Sequence, residues 1–145
     1  MRASSRFALF TLFLASACSA AAPEGVWVVG RIENPRSNHQ GFSAVSWAEQ
    51  APEGAEILLA PGGEIFGAAA PIESARLSGA WRGQSVEFSW EGVDAHGVVS
   101  VFRFAGAYDP KRDTIAGVLS QEIKMGPISA LLSGEATLRR RDSKQ

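Results

Sequence analysis

Residues 77–140 repeat one short pattern four times: LSG at 77–79, FAG at 104–106, IAG at 115–117 and LSG at 132–134. Each triplet is an apolar residue, a small residue and a glycine, and the flanking sequence alternates apolar and polar residues with the period of a half-buried strand. A glycine inside a strand usually marks a bend or a close approach of two backbones. Bends repeated on successive strands let a sheet curl and close on itself. This stretch therefore predicts an all-β fold built on a curled antiparallel sheet.

The most regular alternation lies in residues 84–91, where Val86, Phe88 and Trp90 share one face and serine and glutamate side chains share the other. Residues 98–105 alternate in the same way. Such segments predict about eight strands along the chain, and their short connections favour antiparallel pairing because a parallel crossover needs a dozen or more residues. Closing the sheet removes its exposed edges. We therefore expect a small antiparallel barrel, with a two-sheet β-sandwich as the alternative.

The first half of the domain has a weaker pattern. Residues 25–32 predict a first strand, and residues 56–60 and 64–68 predict a hairpin around the turn sequence PGG. Residues 33–40 are polar and include Asn-Pro, which predicts a loop. In residues 41–47 a short alternation favours a strand slightly over a single helical turn.

The chain begins with the pattern of an export signal. Arg2 and Arg6 precede the apolar run FALFTLFL at 7–14, and Ala-Ser-Ala at 15–17 has the small-residue pattern of a cleavage site. The apolar run is far shorter than the ~20 residues of a membrane-spanning helix. We therefore expect a signal peptide at 1–17, a tether at 18–24, a single barrel domain at 25–141 and a polar tail at 142–145.

Cys18 is the only cysteine, so it has no partner for an internal disulfide. The sequence LASAC at 14–18 resembles a bacterial lipobox, in which the cysteine is acylated and becomes the mature N-terminus, although the leucine lies four residues before the cysteine instead of three. Ser19 resembles the residue at this position in outer-membrane lipoproteins of Gram-negative bacteria. The resemblance implies a periplasmic or outer-membrane-anchored lipoprotein of such a bacterium. The alternative is ordinary cleavage, and both predict an exported protein.

The charge balance argues against nucleic acid as a partner. The chain has 14 Lys and Arg against 15 Asp and Glu, and removal of Arg2 and Arg6 with the signal leaves 12 against 15, a net charge of −3. No basic stripe is present to neutralise phosphates. The run Arg-Arg-Arg at 139–141 is more typical of a solvated terminus than of a binding patch. Contact with a membrane is therefore expected only through the N-terminal lipid anchor.

Two features resemble lipocalin-like barrels. Gly25-Val26-Trp27 is similar to the opening of the first lipocalin strand, where the tryptophan plugs one end of the barrel. Residues 104–140 are similar to small exported bacterial lipocalin-like domains in their order of an aromatic-x-Gly triplet, a polar turn, an Ile-x-Gly strand and a last strand ending in Leu-Arg. The resemblance implies a calycin-type barrel able to hold a small apolar ligand. It assigns no ligand and no catalytic residue.

Residues with catalytic or metal-binding chemistry are few. Glu91, Asp94 and His96 fall within six residues and could ligate a divalent ion, but a hairpin tip rich in such residues is ordinary turn composition. His39 lies in a polar segment without an evident partner. The sequence contains no Gly-x-Ser-x-Gly nucleophile motif, no phosphate-binding glycine loop and no Cys–His metal spacing. We therefore predict no catalytic residue, no metal and no cofactor.

The aromatic residues are the stronger functional signal, because barrels of this size hold small ligands at their mouths. Trp47 belongs to this aromatic set, and six other side chains are the candidates for lining a pocket: Trp27, Trp81, Phe88, Trp90, Phe102 and Phe104. An eight-stranded barrel also fills its own interior with side chains, and the pattern favours packing over a pocket for these residues.

Three hypotheses of function follow. A module that binds a small apolar ligand requires the aromatic faces of residues 84–91 and 98–105 to point into an unfilled cavity. An interaction module or inhibitor at the cell envelope requires a filled core and an exposed apolar patch, for which residues 41–71 are the candidate. A barrel cyclase or isomerase requires polar groups inside, and Glu87 and Arg103 meet this only if the predicted faces are inverted.

Overall fold

The computed structural model describes residues 22–50, 53–68, 76–93 and 97–141, which form nine β-strands and one α-helix. The predicted signal peptide, Cys18 and the polar tail lie outside these residues. The elements, in chain order, are β1 Gly25–Val29, β2 Glu33–Ser37, α1 Ala44–Gln50, β3 Glu56–Leu59, β4 Glu64–Ala68, β5 Arg76–Arg82, β6 Ser85–Val93, β7 Val99–Asp109, β8 Thr114–Met125 and β9 Ile128–Arg140.

Eight of the strands form a closed antiparallel barrel in the order β1-β3-β4-β5-β6-β7-β8-β9, and β9 pairs back onto β1. The predicted curled meander is confirmed, and the barrel replaces the sandwich alternative. β9 has two partners along its free edge: β1 pairs with Leu138–Arg140, and β2 pairs with the preceding segment from Leu132 to Glu135. We call the end of the barrel that contains Trp27 and Arg140 the lower end, and the end at the β8–β9 turn the upper end.

The glycines of the four triplets face the barrel interior at close backbone approaches. Gly106 and Gly117 lie directly opposite each other on β7 and β8. A methyl group on Gly117 would collide with the backbone of Ala105 and Gly106, and one on Gly79 would collide with Phe88. Strands that approach this closely can bend sharply across the barrel, as the sequence predicts.

The interior is packed with one continuous apolar cluster. The predicted face of residues 84–91 is confirmed, since Val86, Phe88 and Trp90 are buried. Phe102 and Phe104 on β7 are buried opposite them, which confirms the predicted face of residues 98–105. The rest of the cluster comes mainly from β1, β3, β4, β8 and β9.

Two predictions in the weakly patterned region are wrong. Residues 33–37, predicted as loop, form β2, and the strand is obscured because Asn34 has a positive φ of 50° and the pairing register shifts between Glu33 and Arg36. Residues 44–50, which overlap the segment predicted as a strand, form α1. The N–H of Ser46 donates to Ser43 Oγ at 3.3 Å, so Ser43 caps this helix, and an alternation among small residues does not reveal such a cap.

In the part of the chain that the structure describes, no helix has the length and hydropathy required to cross a membrane.

Candidate functional site

The lower end of the barrel is closed by Trp27. Its side chain is fully buried, and its Nε1 donates a hydrogen bond to the carbonyl oxygen of Pro23 at 2.7 Å. The guanidinium of Arg140 lies 4.5 Å above the indole ring, and Tyr108 packs edge-on at 5.8 Å. The tryptophan is therefore buried at the lower end of the barrel, as both the lipocalin resemblance and an ordinary first strand would place it, and a cation–π contact adds to its packing.

Arg140 also joins a hydrogen-bonded network with Asp113 and Tyr108 at the lower end of the barrel. Its Nε and Nη2 donate to the two carboxylate oxygens of Asp113, each at 2.9 Å, and Tyr108 Oη donates to the same carboxylate at 2.9 Å. Arg140 Nη1 reaches the carbonyl oxygen of Glu24. This bidentate geometry is the strong form of an ion pair.

The network fixes the protonation of its members. The hydrogen bond from Arg140 lowers the pKa of Asp113, and the same bond raises the pKa of Arg140. Burial raises the pKa of Tyr108, and its hydrogen bond to Asp113 adds to this effect. The tyrosine stays neutral and the aspartate stays charged near neutral pH, so the cluster acts as a structural lock.

Four of the six pocket candidates form one aromatic wall on β6 and β7. Trp90 stacks on Phe102 at 4.6 Å, Phe88 stacks on Phe104 at 4.9 Å, and Phe88 and Trp90 are 6.0 Å apart. Each of the four is at most 5% exposed. The wall therefore packs against itself, and these four side chains do not line the unfilled cavity that the ligand-binding hypothesis requires of their faces.

The structure does not bring the other two candidates to this wall. Trp27 lies at the lower end, and Trp81 is half-buried with its Nε1 donating to the carbonyl oxygen of Ala60 at 2.8 Å. Trp81 thereby holds the turn that connects β3 and β4.

The inward-facing series on β8 and β9 changes character at the upper end. Ile115 and Leu119, in the lower part of β8, are essentially fully buried. Met125, at the upper end of β8, is 42% exposed, and Ile128, which pairs with it on β9, is 43% exposed. We call the inward-facing positions at the upper ends of β7, β8 and β9 the mouth: Ser100, Gln121, Ile123, Met125, Ile128 and Ala130.

The mouth is uncharged. Its two polar residues, Ser100 and Gln121, are diagonal neighbours on β7 and β8. Among the described inward-facing positions of β6 to β9, the one charged side chain is that of Arg140, at the opposite end. Because the described residues that line the mouth offer no counter-charge to offset the desolvation of a charged group, these side chains favour neutral groups.

Trp47 fills part of the mouth from outside the barrel wall. It lies on α1, is 8% exposed, and its Nε1 donates to Gln121 Oε1 at 2.7 Å. Its ring lies beside Gly134 on the inner face of β9, next to Ile32. The sequence predicts Trp47 only as one of several aromatic residues and does not predict a role for Gln121. The available signal was that Gln121 is a polar residue in an otherwise apolar inward series.

The outer surface carries an apolar row on the β1–β3–β4 side. Leu58 and Phe66 lie directly opposite each other and are 42% and 49% exposed, and Val26 is the next residue across the sheet. The ion pair between Arg141 and Glu56, at 3.2 Å, borders this row. We call Val26, Leu58 and Phe66 the outer apolar row, and two of its three members fall within the predicted patch region 41–71.

Two shallow grooves of about 570 and 510 Å³ also lie on the outside of the barrel. The larger is lined by charged residues of both signs, among them Arg31, Glu33, Glu135 and Arg139. The smaller is lined by both Glu87 and Arg103. Such mixed charge gives neither groove a preference for an anion or a cation.

The chemistry-bearing residues from the sequence do not assemble into a site within the described chain. No group of three or more His, Cys, Asp or Glu side chains there could hold a metal ion, and Asp94 and His96 lie outside the described residues. The Nδ1 of His39 accepts a hydrogen bond from the backbone of Gly41 at 2.9 Å, so this imidazole stabilises a turn. Glu87 and Arg103 face outward, which removes the basis for the barrel-enzyme hypothesis.

Comparison with known proteins gives no match: no family model, no curated protein and no solved structure is significantly similar to this chain.

Proposed function

We propose that this protein is an exported, lipid-anchored barrel of the lipocalin-like type that binds a small apolar ligand at its mouth. The observation that carries the proposal is the half-exposed pair Met125 and Ile128, which continues the inward-facing apolar series above the aromatic wall. Apolar side chains that face inward and remain open to solvent are the usual lining of a ligand site.

The position of the chain's N-terminal segment supports this arrangement. Pro23 and Glu24 lie beneath Trp27 and Arg140, so a lipid on Cys18 would hold the lower end toward the membrane. The mouth then points away from the bilayer and is free to exchange ligand. Replacing Cys18 with serine should release the protein from the membrane fraction, and retention of the variant there would contradict the anchor.

The ligand's affinity would come mainly from burial of apolar surface, at roughly 25 cal/mol per Å². Met125 and Ile128 supply this surface at the entrance. Ser100 and Gln121 can satisfy one neutral polar group, and a carboxylate or an amine would find no counter-ion among the described residues of the mouth. We therefore expect a neutral ligand.

The test compares two glutamine variants on the same strand. Ile128 is 43% exposed and faces inward, and Leu131 is 44% exposed and faces outward. The mature protein, purified from the periplasm, is titrated with the fluorescent apolar probe N-phenyl-1-naphthylamine and weighed by native mass spectrometry. Ile128→Gln should weaken probe binding and remove any copurified mass, and Leu131→Gln should change neither. Equal effects of the two substitutions would contradict a site at the mouth.

The outer apolar row favours a second candidate function, an interaction module at the cell envelope. An apolar centre bordered by an ion pair is the composition of many protein interfaces. A photo-crosslinker at Phe66 should then capture one defined envelope protein in cells, and a crosslinker at the exposed Glu87 should not. Random or absent capture at Phe66 would favour the ligand-binding function over this one.

A further inference from the structure

Trp47 is the one buried side chain among the described side chains of α1. It comes from α1, a helix of seven residues, which is too short to be stable without tertiary packing. Val45 is 63% exposed on the outer side of the helix, and Ser46 and Glu49 are exposed as well. The indole of Trp47, together with the partly buried Ala48, therefore attaches α1 to the apolar core.

The hydrogen bond between Trp47 and Gln121 has a fixed direction. An indole N–H can only donate, so the amide oxygen of Gln121 must face it, and the amide NH2 group faces away. Within the described residues this NH2 group makes no hydrogen bond to protein. Gln121 Oε1 thus accepts the hydrogen bond from Trp47 with one of its two lone pairs, and the amide NH2 group offers two further donors.

The position occupied by the indole has the properties of a small binding slot. Its floor is Gly134, whose Cβ, if present, would lie 3.4 Å from the ring of Trp47. Ile32 borders one side, and Gln121 Oε1 supplies a single acceptor at 2.7 Å from the ring nitrogen. The described side chains that line the slot are uncharged, and the slot lies deeper in the barrel than Met125 and Ile128, since Gly134 is three inward-facing positions from Ile128 on β9.

We propose that Trp47 is a built-in substitute for the ligand. The ligand is a neutral compound with a flat ring system about the size of an indole and one hydrogen-bond donor, and it displaces Trp47 to donate to Gln121 Oε1. This inference rests on the proposed function and adds the chemical class of the ligand. α1 contacts β2 and β9 but is not part of the sheet, so its displacement leaves the strand pairings of the barrel in place.

The first experiment uses the variant Trp47→Ala and two probes, indole and N-methylindole, which lacks the donor. Indole should bind Trp47→Ala at least about tenfold more tightly than it binds the wild type, where the probe must first displace the tryptophan. Indole should also bind the variant about three- to tenfold more tightly than N-methylindole, the range expected for one neutral hydrogen bond. Isothermal titration calorimetry on the mature protein measures both ratios.

The matched control is the double variant Trp47→Ala/Gln121→Met. Methionine has nearly the shape of glutamine but offers no comparable acceptor, so the preference for indole over N-methylindole should fall to about one. A preference that survives in the double variant would overturn the role of Gln121, and equal binding of both probes to Trp47→Ala would overturn the proposed donor.

A second measurement does not depend on the stability of Trp47→Ala. The wild-type protein is labelled with 5-fluorotryptophan, and the Trp47 resonance is assigned from its loss in Trp47→Phe. Saturating indole should shift the Trp47 resonance toward its solvent-exposed position and leave Trp27 unchanged. Binding without this shift would overturn displacement.

The two proposals fail in different ways. If Ile128→Gln weakens probe binding but Trp47→Ala does not distinguish the two indoles, the mouth remains a ligand site and the substitution by Trp47 is overturned. If neither the wild type nor Trp47→Ala binds any apolar probe, both proposals are overturned.

Discussion

Two tryptophans close the two ends of the barrel, and they are held in very different ways. Trp27 lies on a barrel strand, is fully buried, and contacts Arg140, whose bidentate pair with Asp113 ties β9 to the β7–β8 turn. Trp47 lies on a short helix and makes one neutral hydrogen bond, to Gln121. Charge-assisted hydrogen bonds are roughly twice as strong as neutral ones. We therefore expect the lower end to be the more stable of the two, and the upper end to open more readily.

The two ends also respond to different agents. The lower end contains ionised groups whose pKa values depend on one another, so pH and salt act on it. The described inward-facing residues of the mouth include no titratable group, so we expect pH to have little effect on them and the proposed apolar ligand to act there instead. This difference between the two ends can be tested by making comparable substitutions at each end and comparing their effects.

The largest expected effect comes from removing the two tryptophans in turn. Trp27→Ala should lower the free energy of unfolding by about 3–5 kcal/mol, the usual cost of truncating a fully buried aromatic residue. Trp47→Ala should cost about 2 kcal/mol or less, because water can enter the slot from the open mouth and the barrel strands keep their packing. Urea denaturation followed by circular dichroism measures both values. Equal losses for the two variants would contradict the difference between the ends.

Much of this architecture is readable from the sequence, because a glycine within a strand and a strict alternation each arise from few physical causes. The glycines of the four triplets predicted close backbone approaches, and Gly106 opposite Gly117 is such an approach. The alternation at Val86, Phe88 and Trp90 assigned the buried face of β6. Local chemistry determines these features, so a local pattern reveals them.

The parts that sequence reasoning missed depend on distant partners. β2 has an irregular pattern and becomes a strand because β9 offers its free edge. Arg140 belongs to a run that is typical of a solvated terminus, and only its place in the inward series of β9 turns it toward Trp27. Gln121 matters because α1 delivers Trp47 to it from 74 residues away. Nothing within a few residues of either side chain indicates its partner.

The next largest effect is expected at the lower end, from Arg140→Gln. The substitution removes the cation above Trp27 and the bidentate pair with Asp113, and it should cost about 1–2 kcal/mol after allowance for the partial exposure of both side chains. The neighbouring Arg141→Gln removes a solvent-exposed pair with Glu56 and should cost less than about 0.5 kcal/mol. Urea denaturation compares the two. A similar cost for both would mean that Arg140 contributes only a surface charge.

The pH dependence of stability should also distinguish the two ends of the barrel. Its effect should be smaller than that of Arg140→Gln, because protonation of Asp113 leaves Arg140 in contact with Trp27. The folded-state pKa of Asp113 is depressed, so its contribution to stability is present above the ordinary carboxyl pKa of about 4 and is lost as the pH falls through the folded-state value. The pKa of Tyr108 is raised, so its contribution is present below about pH 10 and is lost as the pH rises further.

The lower end should therefore loosen at both pH extremes while Trp47 keeps its environment. In the 5-fluorotryptophan protein, the Trp27 resonance should shift below about pH 4 and above about pH 10 before global unfolding, and the Trp47 resonance should not. Asp113→Asn should remove the acidic part of this response and Tyr108→Phe the alkaline part. Simultaneous shifts of both resonances in the wild type would place the response in the whole barrel instead of its lower end.

The smallest expected effect on stability comes from Gln121→Met, which sharpens the comparison at the mouth. The variant leaves the indole N–H of Trp47 without its acceptor and should destabilise the closed mouth by about 1 kcal/mol. On the proposal that α1 opens independently of the barrel, this energy should appear in local opening and only weakly in global unfolding. Hydrogen exchange of the Trp47 indole N–H should become about fivefold faster, whereas that of Trp27, bonded to Pro23, should not change. If exchange accelerates equally at both tryptophans, the two ends open together, and a mouth that opens independently of the lower end is excluded.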